Sequence, residues 1–272
     1  MTDSVEPDRL VHSRDGTSIA VFTGGTGPPL ILVHGAAADH TTFRVIGPML
    51  DDRFTIHAID RRGRGASGDI GPYAIDREFE DVVAVASELA DEVGTPVDVV
   101  GHSYGGRCAL GAALLTPAIR RVVSYEGAPT PPGEHYGDAA LTAELARLAD
   151  DGRREVLLET FMRRVVGMTA GELDRYRADP VWPRRVAAAA TIARELGVEA
   201  SDAAGLDRLA AVRQPVLQVL GSDSRAEFGA ATRAMDARLV DGRILVIDGA
   251  KHAAHHTHPD ALVSAIIAFL RS

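Results

Sequence analysis

The sequence predicts an α/β fold: a mostly parallel, eight-stranded sheet with helices on both faces and a helical segment inserted between two strands. Two observations carry this prediction. Short apolar, β-branched runs alternate with longer Ala- and Leu-rich amphipathic stretches, which is the pattern of a parallel sheet covered by helices. Between Glu126 and Pro215 this alternation stops and only helical patterns follow. A chain of 272 residues can bury the core that such a sheet needs.

The predicted elements follow one another in a regular order. A turn at Asp15-Gly16 connects the first two strands as a hairpin. The strands are predicted over residues 10–13, 19–22, 30–34, 54–59, 97–100, 122–126, 216–220 and 244–247. The helices that cover them are predicted over residues 42–50, 77–93, 104–115, 226–237 and 259–270.

We predict that residues 129–210 form a helical cap, inserted into a core made of residues 1–128 and 211–272. Ligands bind at the carboxyl ends of the strands in open α/β sheets, so the cap should lie over that edge. Its helical patterns lie near 138–150, 154–166 and 184–196. Trp182 either walls a substrate pocket or packs inside the cap. The paired arginines of the cap are expected on a solvated face: Arg153, Arg154, Arg163, Arg164, Arg184 and Arg185.

Composition restricts the partners that the chain can have. A net charge of −9 argues against a nucleic-acid partner and fits a monomer or homodimer. The single cysteine, Cys108, excludes an internal disulfide bond and is expected to be buried. The first residues, Met1 to Ser4, lack a secretion-signal pattern, and no apolar run is long enough to span a bilayer. We therefore expect a cytoplasmic protein with no membrane contact.

The strongest chemical signal is the segment Gly101-His102-Ser103-Tyr104-Gly105, which follows an apolar strand and precedes a helix. A serine at the tip of a sharp strand-to-helix turn needs glycines two residues away on either side, because strand and helix approach closely there. The alternative is a serine that only caps the following helix, but the flanking glycines argue against it. Ser103 is therefore a candidate nucleophile.

Four motifs, each after a predicted strand, occur along the chain in a set order. They are His34-Gly35-Ala36, the loop from Asp60 to Gly68, the Ser103 turn, and Gly249-Ala250-Lys251-His252. Together they resemble the α/β-hydrolase fold family over nearly the whole chain. The Asp60 loop is expected to be structural, although its arginines could equally face solvent.

The resemblance implies a role for each of these motifs. Ser103 would be the nucleophile and His252, three residues after Gly249, the base that a weakly acidic serine hydroxyl needs. The backbone N–H groups of Ala36 and Tyr104 would hold the oxyanion. His255, His256 and His258 could indicate a metal site, but we expect a solvated loop and helix start there, and neither a metal nor a cofactor.

Two carboxylates could orient the histidine. Asp223 follows the strand at 216–220, the commonest position for the acid in the family, but it stands one residue early. Ser224 to Glu227 also matches a capping box, which would give this segment a purely structural purpose. Glu126 ends the strand at 122–126, where haloalkane dehalogenases and zearalenone-type lactonases carry a triad glutamate. An ionised glutamate there is costly unless it is paired, with His252 or with a cap arginine. This cost favours Glu126, and Asp223 remains the alternative.

The sequence thus leads us to expect a cofactor-independent serine hydrolase that cleaves a small-molecule carboxylic ester or lactone. A serine at the turn argues against haloalkane dehalogenase and epoxide hydrolase chemistry, which need a carboxylate nucleophile there. The alternatives on the same triad are a carbon–carbon bond hydrolase, a perhydrolase and an acyltransferase. A slow-turnover ligand-binding homologue is the alternative outside catalysis.

Overall fold

A computed structural model describes residues 6–131, 133–198 and 201–272 of the chain. Met1 to Ser4, and Pro132 of the proline-rich start of the predicted cap, lie outside the described residues. One eight-stranded sheet has the order β1-β2-β4-β3-β5-β6-β7-β8. Its strands are β1 (Arg9–His12), β2 (Ser18–Gly25), β3 (Pro29–Val33), β4 (Thr55–Ile59), β5 (Val97–His102), β6 (Ile119–Tyr125), β7 (Val216–Gly221) and β8 (Gly242–Ile247).

Only β2 runs antiparallel to its neighbours, β1 and β4; the remaining pairs are parallel. The predicted fold class is confirmed. All eight predicted strands are present, with bounds that move by a few residues.

The central strands are buried on both faces because helices cover the sheet on each side. Side chains alternate between the faces with a period of two. Leu30, Leu32 and Val100 join one apolar cluster, whereas Ile31 and Val33 join the other. The helices are α1 (Ile46–Leu50), α2 (Ile75–Val93), α3 (Tyr104–Leu115), α4 (Ala139–Asp150), α5 (Arg154–Phe161), α6 (Ala170–Arg177), α7 (Trp182–Ala188), α8 (Ile192–Gly197), α9 (Leu206–Leu209), α10 (Ala226–Asp236), α11 (Ala254–Thr257) and α12 (Pro259–Leu270).

Three helical regions differ from the prediction. The helix predicted over 42–50 is divided into a 3₁₀ turn, His40–Phe43, and α1. The helix predicted over 154–166 changes to a π turn at Met162–Val166, before Gly167 at φ 86°. Helix α6 was not predicted, although Thr169 and Glu172 form a capping box at its start. The spacing of Thr169 and Glu172 was the sequence signal from which this helix could have been predicted.

Helices α4 to α9 lie between β6 and β7 in the chain, and buried ion pairs attach them to the strand-end loops. Glu195 of α8 accepts from Arg61, with 2.7 Å between Nη2 and Oε1, and from Arg64. Arg61 also donates from Nε and Nη2 to the two carboxylate oxygens of Glu78. Burial opposes the charge of Arg61, but the Glu78 carboxylate raises the pKa of the guanidinium well above its ordinary value. Of the two expectations for the Asp60 loop, the structural one is correct.

The expectation that the paired arginines of the inserted segment face solvent is wrong for Arg185, which is 2% exposed. Its guanidinium lies 2.6 Å from Asp39 and also donates to Thr41. Arg184 shares the same carboxylate. Both side chains therefore join α7 to the loop after β3. None of the helices in the described part of the chain combines the length and apolar character that crossing a membrane requires.

Candidate active site

The turn at Ser103 joins β5 to α3 at the carboxyl edge of the sheet. Ser103 has φ 54° and ψ −126°, a backbone conformation that residues other than glycine rarely adopt. The flanking glycines are sterically required. A Cβ on Gly101 would lie 2.5 Å from Gly106 Cα, and a Cβ on Gly105 would collide with the Val33 carbonyl of β3. The backbone thus holds the Ser103 side chain beyond the end of the strand.

Strained backbone is concentrated at this edge of the sheet. In the described part of the chain, the residues other than glycine with positive φ are Ala37 (47°), Ser103 (54°) and Glu126 (48°). They follow β3, β5 and β6, which are neighbours in the sheet. Such conformations persist only where the surrounding structure enforces them, and they cluster at functional sites. The strain therefore marks the same place as the sequence motifs.

Glu126 and His252 form a buried acid–base pair. The distance between His252 Nδ1 and Glu126 Oε2 is 2.5 Å, and the two residues are 7% and 3% exposed. The carboxylate can only accept, so Nδ1 carries a proton, and in the neutral imidazole the lone pair is then on Nε2. Glu126 Oε1 accepts from the Gly221 N–H at 2.8 Å and from Ser224 Oγ at 2.5 Å. Each oxygen of the carboxylate is therefore fixed.

Asp223, the alternative acid, lies elsewhere. Its side chain is exposed and accepts from Ser222 Oγ at 2.9 Å. The predicted capping box is also absent, because Arg225 takes the N-cap position of α10 and forms no capping bond. The Ser224 hydroxyl is directed to Glu126 instead. The structure thus brings Glu126 to His252 and leaves Asp223 at the surface. Within the described ranges, no arginine of the inserted segment forms an ion pair with Glu126.

The loop that carries His252 is held by side chains that sequence reasoning missed. The Tyr125 hydroxyl donates to the Lys251 carbonyl and accepts from the Ala254 N–H. His102 Nε2 donates to the His252 carbonyl at 2.8 Å. The Phe228 ring stacks on the His252 imidazole, with 4.3 Å between centroids. The position of Tyr125 directly before Glu126 was the one sequence signal for the contacts of its hydroxyl group.

The other histidines of this loop precede a helix start, as the sequence predicts, since α12 begins at Pro259, but they do not form the predicted solvated loop. His255 is 5% exposed and packs against His102, with ring centroids 4.4 Å apart. Burial lowers the pKa of each of these two imidazoles well below the ordinary value, so both are neutral at pH 7. His258 is half-buried and lies 2.9 Å from Thr257. Among residues 6–131, 133–198 and 201–272, no group of three or more His, Cys, Asp or Glu side chains is arranged to hold a metal.

The two amides considered for the oxyanion hole lie beside Ser103. Tyr104 is the first residue of α3, so its N–H has no acceptor within the helix. Ala36 precedes the strained Ala37 in the loop after β3. His34 supports that loop: its Nδ1–H donates to the Gly35 carbonyl and its Nε2 accepts from the Arg61 N–H. Ala36, Ser103 and Tyr104 all line one cavity.

Two cavities meet at Ser103 and His252. The smaller, of about 40 Å³, lies against Glu126 and is walled mainly by apolar side chains, among them Tyr136, Phe161, Val165 and Phe228. The larger, of about 500 Å³, extends along α6 and the His252 loop. Among the described residues no hydrogen bond joins Ser103 to His252, and such contacts often tighten only when substrate binds.

Trp182 lines neither of these two cavities. Its indole N–H donates to Glu155 at 3.0 Å, and its ring lies edge-on to Tyr176, with 5.4 Å between centroids. Tyr176 itself lines the larger cavity. Of the two roles considered for Trp182, packing within the inserted segment is the one observed, and its ring is one side chain removed from the larger cavity.

Comparison with known proteins identifies the family that the chain resembles. A model of the Alpha/beta hydrolase family matches residues 30–265. The 2-(acetamidomethylene)succinate hydrolase of Mesorhizobium japonicum is 30% identical over 260 residues, or 90% of this chain and 89% of that protein. The pimeloyl-[acyl-carrier protein] methyl ester esterase of Xanthomonas campestris is 29% identical over 255 residues, or 90% of this chain and 96% of that protein.

A solved alpha/beta hydrolase structure from Sphaerobacter thermophilus matches with a TM-score of 0.82 and 29% identity, covering 96% of this chain and 100% of that one. The probable oxidoreductase EphD of Mycobacterium tuberculosis is 34% identical over 140 residues. This match covers 50% of the chain and only 23% of that protein's length.

Proposed function

The chain belongs to the alpha/beta hydrolase family, and we propose that it is a serine hydrolase that cleaves a carboxylic ester or lactone through an acyl-enzyme. The observation that carries the proposal is the buried His252–Glu126 pair, which faces a cavity that Ser103 also lines. Its relatives include hydrolases and esterases, which agrees with this reaction class.

In the first half of the reaction, the Ser103 oxygen attacks the ester carbonyl and its proton passes to His252 Nε2. The carbonyl oxygen becomes an alkoxide, which accepts hydrogen bonds from the N–H groups of Ala36 and Tyr104. His252 then gives its proton to the leaving alkoxy oxygen as the C–O bond breaks. Glu126 holds the imidazole in the Nδ1–H tautomer and stabilises the imidazolium while it exists.

In the second half, a water molecule gives a proton to His252 Nε2 and its oxygen attacks the acyl carbon. The second alkoxide uses the same two backbone donors. Its collapse releases the acid, and the proton returns to Ser103. This sequence of steps uses no cofactor and no metal, and its small-molecule substrates would bind at Ser103, where the two cavities meet.

In this account helices α4 to α9 act as the cap of the site. Phe161 and Val166 belong to this segment and line both cavities, while Glu195 and Leu196 line the smaller one. The cap would thus exclude water from the smaller cavity and shape the substrate site. The ion pairs of Arg61 and Arg64 with Glu195, and of Arg185 with Asp39, would hold it in position.

The test is hydrolysis of a panel of esters and lactones by the wild type, Ser103→Ala and His252→Ala. We expect each substitution to lower kcat by about a thousandfold or more, since nucleophile and base act as a unit. Circular dichroism checks that each variant is folded. Near-wild-type hydrolysis by a folded Ser103→Ala protein would exclude the serine mechanism.

A further inference from the structure

The two cavities at Ser103 differ in size by more than tenfold. The smaller holds about 40 Å³, whereas an engineered cavity that binds benzene has a volume of about 150 Å³. It accepts no more than a short group. The larger, about 500 Å³, falls in the size range of sites for small molecules. The larger part of the substrate must therefore lie in the larger cavity.

The walls of the larger cavity carry several cations, and most of them are already paired. Arg44 lies 2.6 Å from Asp179, Lys251 lies 2.8 Å from Glu172, and Arg185 lies 2.6 Å from Asp39. Arg175, an exposed residue of α6, also lines this cavity. It forms neither an ion pair nor a hydrogen bond within the part of the chain that the structure describes, so its guanidinium is available to a ligand.

Two buried histidines in the wall of the same cavity add no positive charge to it. His102 and His255 both line the cavity, and His255 is 5% exposed. Burial lowers the pKa of each imidazole well below its ordinary value, so both are neutral at pH 7. Arg175 is therefore the group on this wall that can balance the charge of an anionic ligand.

We propose that the larger cavity binds a carboxylate-bearing arm of the substrate and that Arg175 is its cationic partner. The proposal rests on the proposed serine hydrolase function and names its substrate class. A planar guanidinium matches a carboxylate through two parallel hydrogen bonds. Because the described residues of the wall include one unpaired cation, a singly charged carboxylate is balanced, whereas a doubly charged phosphate monoester is not. The net charge of −9 repels anions at long range, so the selectivity comes from this local contact.

The experiment compares kcat/KM for two matched pairs of esters. In the first pair, mono-4-nitrophenyl glutarate carries a carboxylate on the acyl side, and its methyl-capped diester is the neutral partner. In the second pair, 4-acetoxybenzoate carries the carboxylate on the alcohol side, and its methyl ester is neutral. The pair that the enzyme discriminates identifies which side of the ester enters the larger cavity.

We expect the wild type to prefer the anionic member of at least one pair. Arg175→Gln should reduce that preference about tenfold, mainly through KM, because the arm is bound away from the reacting atoms. Arg175→Lys should restore part of it, and the preference should fall as salt is raised. Arg163→Gln is the matched control, since Arg163 is also exposed and lines neither cavity.

Equal kcat/KM for both members of both pairs, or an unchanged preference in Arg175→Gln, would overturn the proposal. These outcomes remain separate from failure of the hydrolase function. If Ser103 is not the nucleophile, Ser103→Ala hydrolyses the neutral esters as fast as the wild type. If only the carboxylate subsite is wrong, Ser103 is required but no charge preference exists.

Discussion

The carboxyl ends of β6 and β7 each present an acid near the His252 loop, and the two acids differ in their surroundings. Glu126, after β6, is 3% exposed, has φ 48° and receives hydrogen bonds from Gly221, Ser224 and His252. Asp223, after β7, is exposed and accepts from the neighbouring Ser222. The segment after β7 therefore supports Glu126, because its residues Gly221 and Ser224 donate hydrogen bonds to that carboxylate.

This difference shows what makes a carboxylate suitable for orienting a histidine. A buried carboxylate is stable as an anion only when its oxygens are satisfied, and fixed donors also prevent it from rotating away from the imidazole. Glu126 meets both requirements. Asp223 is solvated, so water screens its charge and leaves its side chain free to move.

Neutralising the acids one at a time has the largest expected effect. Glu126→Gln keeps the shape but removes the charge that stabilises the imidazolium and favours the wrong tautomer, so kcat should fall about ten-thousandfold. Asp223→Asn should retain kcat within about threefold. Both are measured in one esterase assay, with folding followed by circular dichroism. A severe loss in Asp223→Asn beside a mild loss in Glu126→Gln would reverse the assignment.

The two serines after β7 sharpen the comparison. Ser224→Ala removes one of the donors to Glu126, and a hydrogen bond to a charged group contributes about 1.5–3 kcal/mol, so kcat should fall about tenfold. Ser222→Ala removes the contact to Asp223 and to the Gly249 N–H, and should change kcat less than threefold. Equal effects of the two substitutions would mean that Ser224 does not act through Glu126.

The smallest expected effect is a loss of folding stability at acidic pH. His102 and His255 stay neutral when folded because burial lowers their pKa well below 6.5. Below about pH 6.5 the unfolded chain therefore binds more protons than the folded one, and stability falls as the pH falls. We expect the Tm to drop between pH 7.5 and 5.0, and to drop less in His255→Gln. His12→Gln, an exposed control, should behave as the wild type.

Local patterns were enough to predict the sheet, the Ser103 turn and the position of His252, because each depends on neighbouring residues. The environment of Glu126 could not be predicted in the same way. Its donors Gly221 and Ser224 lie 95 and 98 residues away in the chain, and nothing local marks them. The burial of Arg185 and of His255 likewise depends on packing between distant segments. The sequence therefore identified both candidate acids, and only the tertiary contacts show that Glu126 is the one beside His252.

Covalent labelling of the nucleophile tests the central assignment most directly, because it needs no knowledge of the substrate. The wild type, Glu126→Gln and Asp223→Asn are treated with a fluorophosphonate, and mass spectrometry identifies the labelled residue and its rate of labelling. We expect Ser103 to be labelled at equal rates in the wild type and Asp223→Asn, and at least a hundredfold more slowly in Glu126→Gln. Labelling at another residue, or slow labelling only in Asp223→Asn, would contradict the assignment of Ser103, His252 and Glu126.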